Sequence, residues 1–227
     1  LAGLLLLLPL PLLAAVGVRL LRVRLAGDPP PASRRSAHVG GDAFPFMPLL
    51  TVTIPLAVGS TVIPGLLPTR LHELGFELTF GGFAALVFGA GMAGGSLLWG
   101  SLVRRDRYLL CATATLLIGT PFLYGYLALA RHRHALWLLG VAAFWIGAAF
   151  PLLVTLARHA EGPSLGQRMA LIVGGTWGVA SVFFLLMGLV AEWIGVDAVL
   201  KLGCASYLVA GYCGLRLLRR LAAPRAD

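Results

Sequence analysis

Residues 78–107 read LTFGGFAALVFGAGMAGGSLLWGSLVRRDR, and this stretch decides the class of the protein. From Leu78 to Val103 no side chain carries a charge, and the run then breaks into Arg104, Arg105, Asp106 and Arg107. A helix needs about 20 apolar residues to cross a hydrocarbon core of about 30 Å. The run is long enough, and its basic terminus is what a cytoplasmic loop beside anionic lipid looks like.

The same pattern recurs along the chain. Seven segments approach or exceed spanning length: Leu1 to Val18, Phe46 to Pro68, Leu78 to Val103, Tyr108 to Ala130, Ala135 to Ala157, Met169 to Ala191 and Ala198 to Leu218. The 227 residues are 59% hydrophobic and 12% charged, with a mean hydropathy of +0.89, whereas soluble domains carry roughly 25% charged residues. A soluble globular protein is excluded, because so few polar side chains cannot cover so many apolar ones.

The formal net charge of +9 suggests nucleic acid in a soluble protein. Here the arginines cluster between apolar runs, so the basic partner is the membrane surface, not nucleic acid. Alternate loops divide the Lys and Arg residues into 14 and 4. The larger set contains Arg104, Arg105, Arg107, Arg158, Arg168, Arg216, Arg219 and Arg220, and the smaller set is Arg70, Arg131, Arg133 and Lys201. The positive-inside rule then puts the C-terminus in the cytoplasm and Leu1 outside. Lys201, three residues inside the last segment, is positioned to snorkel and to pair with Asp197 at i−4.

Domain organisation follows from the single long connector. Residues 19–45, with RVRLAGDPPPASRRSAHVGGD inside them, cannot bury a core and read as a flexible basic cytoplasmic linker. The linker separates one helix, residues 1–18, from a six-helix block at 46–218 and a cytoplasmic tail at 219–227. The first segment begins in mid-run without a basic lead. A signal peptide carries its basic residues before the apolar stretch, and here Arg19 and Arg22 come after it. The expectation is a truncated transmembrane helix.

Signs of catalysis are lacking. No phosphate-cradling loop, nucleophile elbow or H-E-x-x-H occurs, and no cofactor is implied. His132 and His134 flank Arg133, whose charge repels a metal ion, so no metal site is assigned. Cys111, Cys204 and Cys213 lie inside apolar segments and suggest no disulfide framework.

Small and polar residues supply the remaining candidates. Gly91 and Gly95, and Gly174 and Gly178, form G-x-x-x-G pairs, which let another backbone approach and also suit helices that slide against one another. Pro55 and Pro64 lie within the second segment, where each removes a backbone hydrogen bond. Thr53, Ser60 and Thr61 share a face there, either lining a substrate path or bonding back to their own helix. Trp145, Thr176, Trp177 and Ser181 offer a further cavity lining, or helix packing.

Three patterns now coincide with a known family. Gly91 to Arg107, quoted above, resembles the G-x-L-x-D-R-x-G-R-R signature loop of the major facilitator superfamily. Phe150-Pro151, followed by an apolar run to Ala157-Arg158, resembles the end of that family's tenth helix. Gly174-Gly175-Thr176-Trp177-Gly178, with Gly188 to Gly195, resembles the eleventh helix of its fosmidomycin-resistance-type drug exporters. The chain differs in carrying Arg104 at the signature's acidic position and Asp106 two places later.

The resemblance implies an all-α membrane protein in which a six-helix C-terminal transporter half follows one preceding helix, giving seven spans. It implies a missing six-helix N-terminal half as partner and export of drug-like compounds or metabolites by alternating access. It also implies a bacterial plasma membrane location. Under it, Thr53, Ser60, Thr61, Trp145, Thr176, Trp177 and Ser181 face the substrate cavity. Gly91, Gly95, Gly100, Arg104, Arg105, Asp106 and Arg107 form the signature region, and Gly174, Gly178 and Gly188 pack helices. The competing expectation is a multi-span scaffold or assembly protein that transports nothing.

Overall fold

A computed structural model describes residues 44–104 and 107–222. The expected first helix, nearly all of the linker, Arg105, Asp106 and the last five residues lie outside the described residues.

The described chain is all-helical, with six helical stretches long and apolar enough to cross a membrane. They comprise α1 (Met47–Glu73), α2 (Leu78–Leu102), α3 (Tyr108–Ala128), α4 (Leu136–Gly147) with α5 (Ala149–His159), α6 (Leu165–Met169) running through a π-helical turn (Ala170–Gly175) into α7 (Thr176–Ile194), and α8 (Val196–Ala222). Tight connections make successive stretches antiparallel. The start of α1 and the end of α5 meet at one end, where the Phe46 N–H donates to the Glu161 carbonyl (3.0 Å) and the Glu161 N–H to the Phe44 carbonyl (2.8 Å).

Helix ends depart from the apolar runs for local reasons. The first helix runs past Pro68 to Glu73 because Arg70 and Glu73 pair at 3.2 Å across one turn. Gly75 then closes it at φ 87°, donating to the His72 carbonyl, a left-handed conformation that glycine adopts without a Cβ clash. Another helix begins four residues before the expected Met169, because Ser164 and Gln167 form a capping box that satisfies two orphan N–H groups. At the C-terminus α8 continues to Ala222, so residues 219–222 of the expected tail are helical.

The expected fourth span of the block, Ala135 to Ala157, is interrupted. Its two halves meet at Ala148, which belongs to neither α4 nor α5. The fifth carries the π-helical turn, a backbone bulge that re-aims the side chains following it.

The core forms where α1, α3, α4, α5 and α8 converge, with Leu56, Leu67, Leu116, Leu139, Leu153 and Tyr207 fully or almost fully buried. By contrast α2 and α7 expose Leu86, Leu97, Val182, Leu185 and Leu189. In water these would form costly apolar patches; against hydrocarbon they cost nothing.

Candidate functional site

Helix-to-helix contact is closest along α2 and α4. A Cβ on Gly91 would lie 2.7 Å from the Gly140 carbonyl oxygen and 2.8 Å from the Ala143 Cβ, and one on Gly95 would collide with the Phe144 backbone. From the other side a Cβ on Gly147 would collide with the Met92 backbone. Lack of side chains lets the backbones touch, and Ser96 uses that proximity to donate to the Gly147 carbonyl (2.8 Å).

The same seam holds Trp145, half-buried, with its ring 5.2 Å from Trp99 and 6.2 Å from Phe144. Trp145 thus sits in a cluster of tilted and edge-on aromatic rings between α2 and α4. The Trp99 indole N–H is buried and has no partner among the described residues.

The α1 candidates occupy a different seam. Thr53 is fully buried and donates to the Leu49 carbonyl (3.2 Å), and Thr61 donates to the Ala57 carbonyl (2.9 Å). Both hydroxyls thus bond back to their own helix. Ser60 is buried and accepts from the Tyr207 hydroxyl on α8 (3.3 Å). At Ser60, α8 packs directly against α1, because Gly59 and Gly203 let the two helices approach.

The α7 candidates divide across the helix. Thr176 is buried, its hydroxyl donating to the Ile172 carbonyl (2.5 Å) across the π-helical turn. Trp177 is exposed, with one ring edge against Phe150 at 5.7 Å, and Ser181 is exposed with its hydroxyl bonded to the Trp177 carbonyl (2.9 Å). Gly174, Gly178 and Gly188 have no neighbouring atom within 4 Å of an added Cβ. The helix packing expected of these three glycines is not made among the described residues: the π-helical turn and the outward face of α7 leave them on open surface.

Gly100 also faces open space at the end of α2. Beyond it the Arg107 N–H donates to the Arg104 carbonyl (3.0 Å), and Arg105 and Asp106 lie outside the described residues.

One polar cluster was only half legible in the sequence. Lys201 Nζ meets Asp197 Oδ2 at 2.7 Å, the pairing that the i, i+4 spacing suggests, and Arg70 Nη2 of α1 meets Asp197 Oδ1 at 3.1 Å. The Tyr124 hydroxyl donates to the Lys201 carbonyl (3.0 Å), tying α3 to the same point. A cavity of about 450 Å³ opens there, lined in part by Arg70, Tyr124, Arg131, Asp197 and Lys201. The hydropathy pattern puts Arg70 in a loop, and only the extension of α1 carries it to Asp197.

Charge separates along the bundle axis. The end formed by the α2–α3 and α5–α6 connections and the α8 terminus carries Arg104, Arg107, Arg158, Arg168, Arg216, Arg219 and Arg220 against a single described carboxylate, Glu161. At the opposite end Arg70, Arg131, Arg133 and Lys201 are matched by Glu73, Glu77, Glu192 and Asp197. Among the described residues no three His, Cys, Asp or Glu side chains converge to hold a metal ion. No protein-family model matches the sequence, and no curated protein matches it.

Proposed function

We propose that the six-helix block is one half of a secondary active transporter resembling the major facilitator superfamily. It moves small drug-like molecules or metabolites outward by alternating access, in a bacterial plasma membrane. The observation carrying this reading is the face of α7. Gly174, Gly178 and Ser181 present a smooth surface left open among the described residues, and Trp177 beside them is exposed apart from the ring edge that meets Phe150. Only 17% of the most apolar window of that span is buried, against 56% for the α4–α5 span.

A face of this composition suits two tasks together. Glycines permit a second bundle to approach and rock, while an indole and a hydroxyl give an amphipathic ligand one flat apolar contact and one hydrogen bond. The complementary six-helix half is the partner, and the more basic end of the bundle faces the cytoplasm.

The test uses the protein as encoded, with Cys111, Cys204 and Cys213 replaced by serine or alanine and Ser181→Cys added. Substrate should change the rate of labelling by a membrane-impermeant maleimide several-fold, and Trp177→Ala should alter the range of exported compounds at unchanged protein level. Equal export of a broad compound panel by cells with and without the protein would overturn the proposal.

A further inference from the structure

The two helices at the ends of the block, α1 and α8, pack against each other, and the two ends of that seam are finished differently. At the Arg70 end a carboxylate from the chain itself, Asp197, sits between two cations, Arg70 and Lys201. At the other end, where α1 starts and α8 stops, a notch of about 200 Å³ opens between Pro48, Thr51, Cys213, Arg216, Leu217 and Arg220. Among the described residues no carboxylate lines it.

Arg216 and Arg220 are one turn apart, so their guanidinium groups lie over the same face of α8. Arg216 rests 5.2 Å over the Tyr212 ring, which restricts its swing. Among the described residues neither arginine pairs with a carboxylate. Like charges at i, i+4 repel unless an anion lies between them.

The surroundings define the anion's chemistry. Leu217 is buried and Cys213 half-buried, so the base of the notch is apolar. The Thr51 hydroxyl already donates to the Pro48 carbonyl (2.7 Å), leaving the two guanidinium groups as the main donors. Two planar forks match the several oxygens of a phosphate better than one carboxylate. Both arginines stand at the boundary of an apolar span, the depth at which such side chains reach phosphates while their stems stay in hydrocarbon.

We infer that the notch between the start of α1 and the end of α8 binds a phosphate group, clamped by Arg216 and Arg220, in the role that Asp197 plays at the opposite end of the seam. Its source is an anionic phospholipid or a free phosphate. Either one, by bridging α8 to the rim formed by α1, tightens the contact between the two helices.

The experiment measures binding and thermal unfolding of the purified full chain in neutral detergent. One arm adds mixed micelles of phosphatidylglycerol, a second adds phosphatidylcholine, and a third adds inorganic phosphate against chloride at matched ionic strength. Phosphatidylglycerol or inorganic phosphate should raise the unfolding temperature, and phosphatidylcholine should not. Protection by the lipid alone assigns a headgroup, and protection by inorganic phosphate at millimolar concentration assigns a free anion. The double variant R216Q/R220Q should bind about ten- to thirty-fold more weakly, and Arg220→Gln alone several-fold more weakly. The matched pair R158Q/R219Q, at the same end but outside the notch, should stay within about two-fold of the unmodified chain. Equal weakening in the two double variants, undiminished binding in R216Q/R220Q and R220Q, or no protection by either phosphate source would overturn the inference.

Discussion

Ser96 donates a 2.8 Å hydrogen bond to the carbonyl of Gly147, the last residue of α4 before the helix is interrupted. A carbonyl freed near a helix break inside lipid needs a donor, because no water is there to serve. A neighbouring helix supplies it, and is near enough only because Gly95 and Gly147 let the two backbones meet. The break and the seam therefore support each other.

Replacing Gly95 or Gly147 with alanine should lower stability by about 1 to 3 kcal/mol, since each new methyl meets backbone that cannot swing aside. Gly178→Ala, on open surface, should leave stability unchanged or slightly raised. Thermal unfolding in detergent checks the contrast, and equal losses at all three positions would refute it.

Ser96→Ala should weaken the same seam by about 0.5 to 1.5 kcal/mol. Its effect should not add to that of Gly147→Ala, because displacing the backbone at Gly147 already breaks the bond. A double-mutant cycle measures the coupling, and full additivity would show that the two residues act separately.

Tyr207→Phe removes the hydroxyl that reaches Ser60. The expected loss is about 0.6 kcal/mol, the average for interhelical bonds of this kind in membranes. Ser60→Ala should cost a similar amount and Thr53→Ala less, since Thr53 bonds only within α1. A larger loss at Thr53 than at Ser60 would contradict the assignment of Ser60 to the α1–α8 contact.

Asp197→Asn leaves Arg70 and Lys201 facing each other without the charge between them. The network is partly exposed, so the expected loss is about 1 kcal/mol at low salt, shrinking toward zero near 1 M salt as screening sets in. Unfolding temperatures across a salt series test this. A deficit that does not depend on salt would point to lost packing instead.

Sidedness gives the last prediction. In the protein without its natural cysteines, Ser164→Cys should be labelled by an impermeant reagent only after the membrane is opened, and His132→Cys in intact cells. The reverse pattern would place the basic end outside.

Much of this architecture was readable from composition alone. Six runs of apolar residues became six helical stretches long and apolar enough to cross a membrane, because hydropathy and length are additive properties that need no neighbour. The Asp197–Lys201 pair was readable for a related reason: i, i+4 spacing on one helix brings side chains together whatever surrounds it. The capping box at Ser164 and Gln167 is equally local, but hydropathy does not register caps.

Three-dimensional partners decided the rest. Gly91 and Gly95 share the G-x-x-x-G spacing of Gly174 and Gly178, yet the first pair abuts α4 and the second faces open space. Spacing places two glycines on one face but says nothing about what that face meets. Arg70 joins Asp197 across 127 positions, and Ser60 meets Tyr207 across 147, contacts that no local pattern encodes. The amino-acid sequence by itself determined that this chain forms helices long and apolar enough to cross a membrane, because the transfer of apolar residues into lipid depends on their number and order. Which small residues form seams, which aromatics meet and which charged side chains pair across helices were settled only by tertiary structure, because helix contacts in lipid depend on shape and hydrogen bonding at particular pairs of faces.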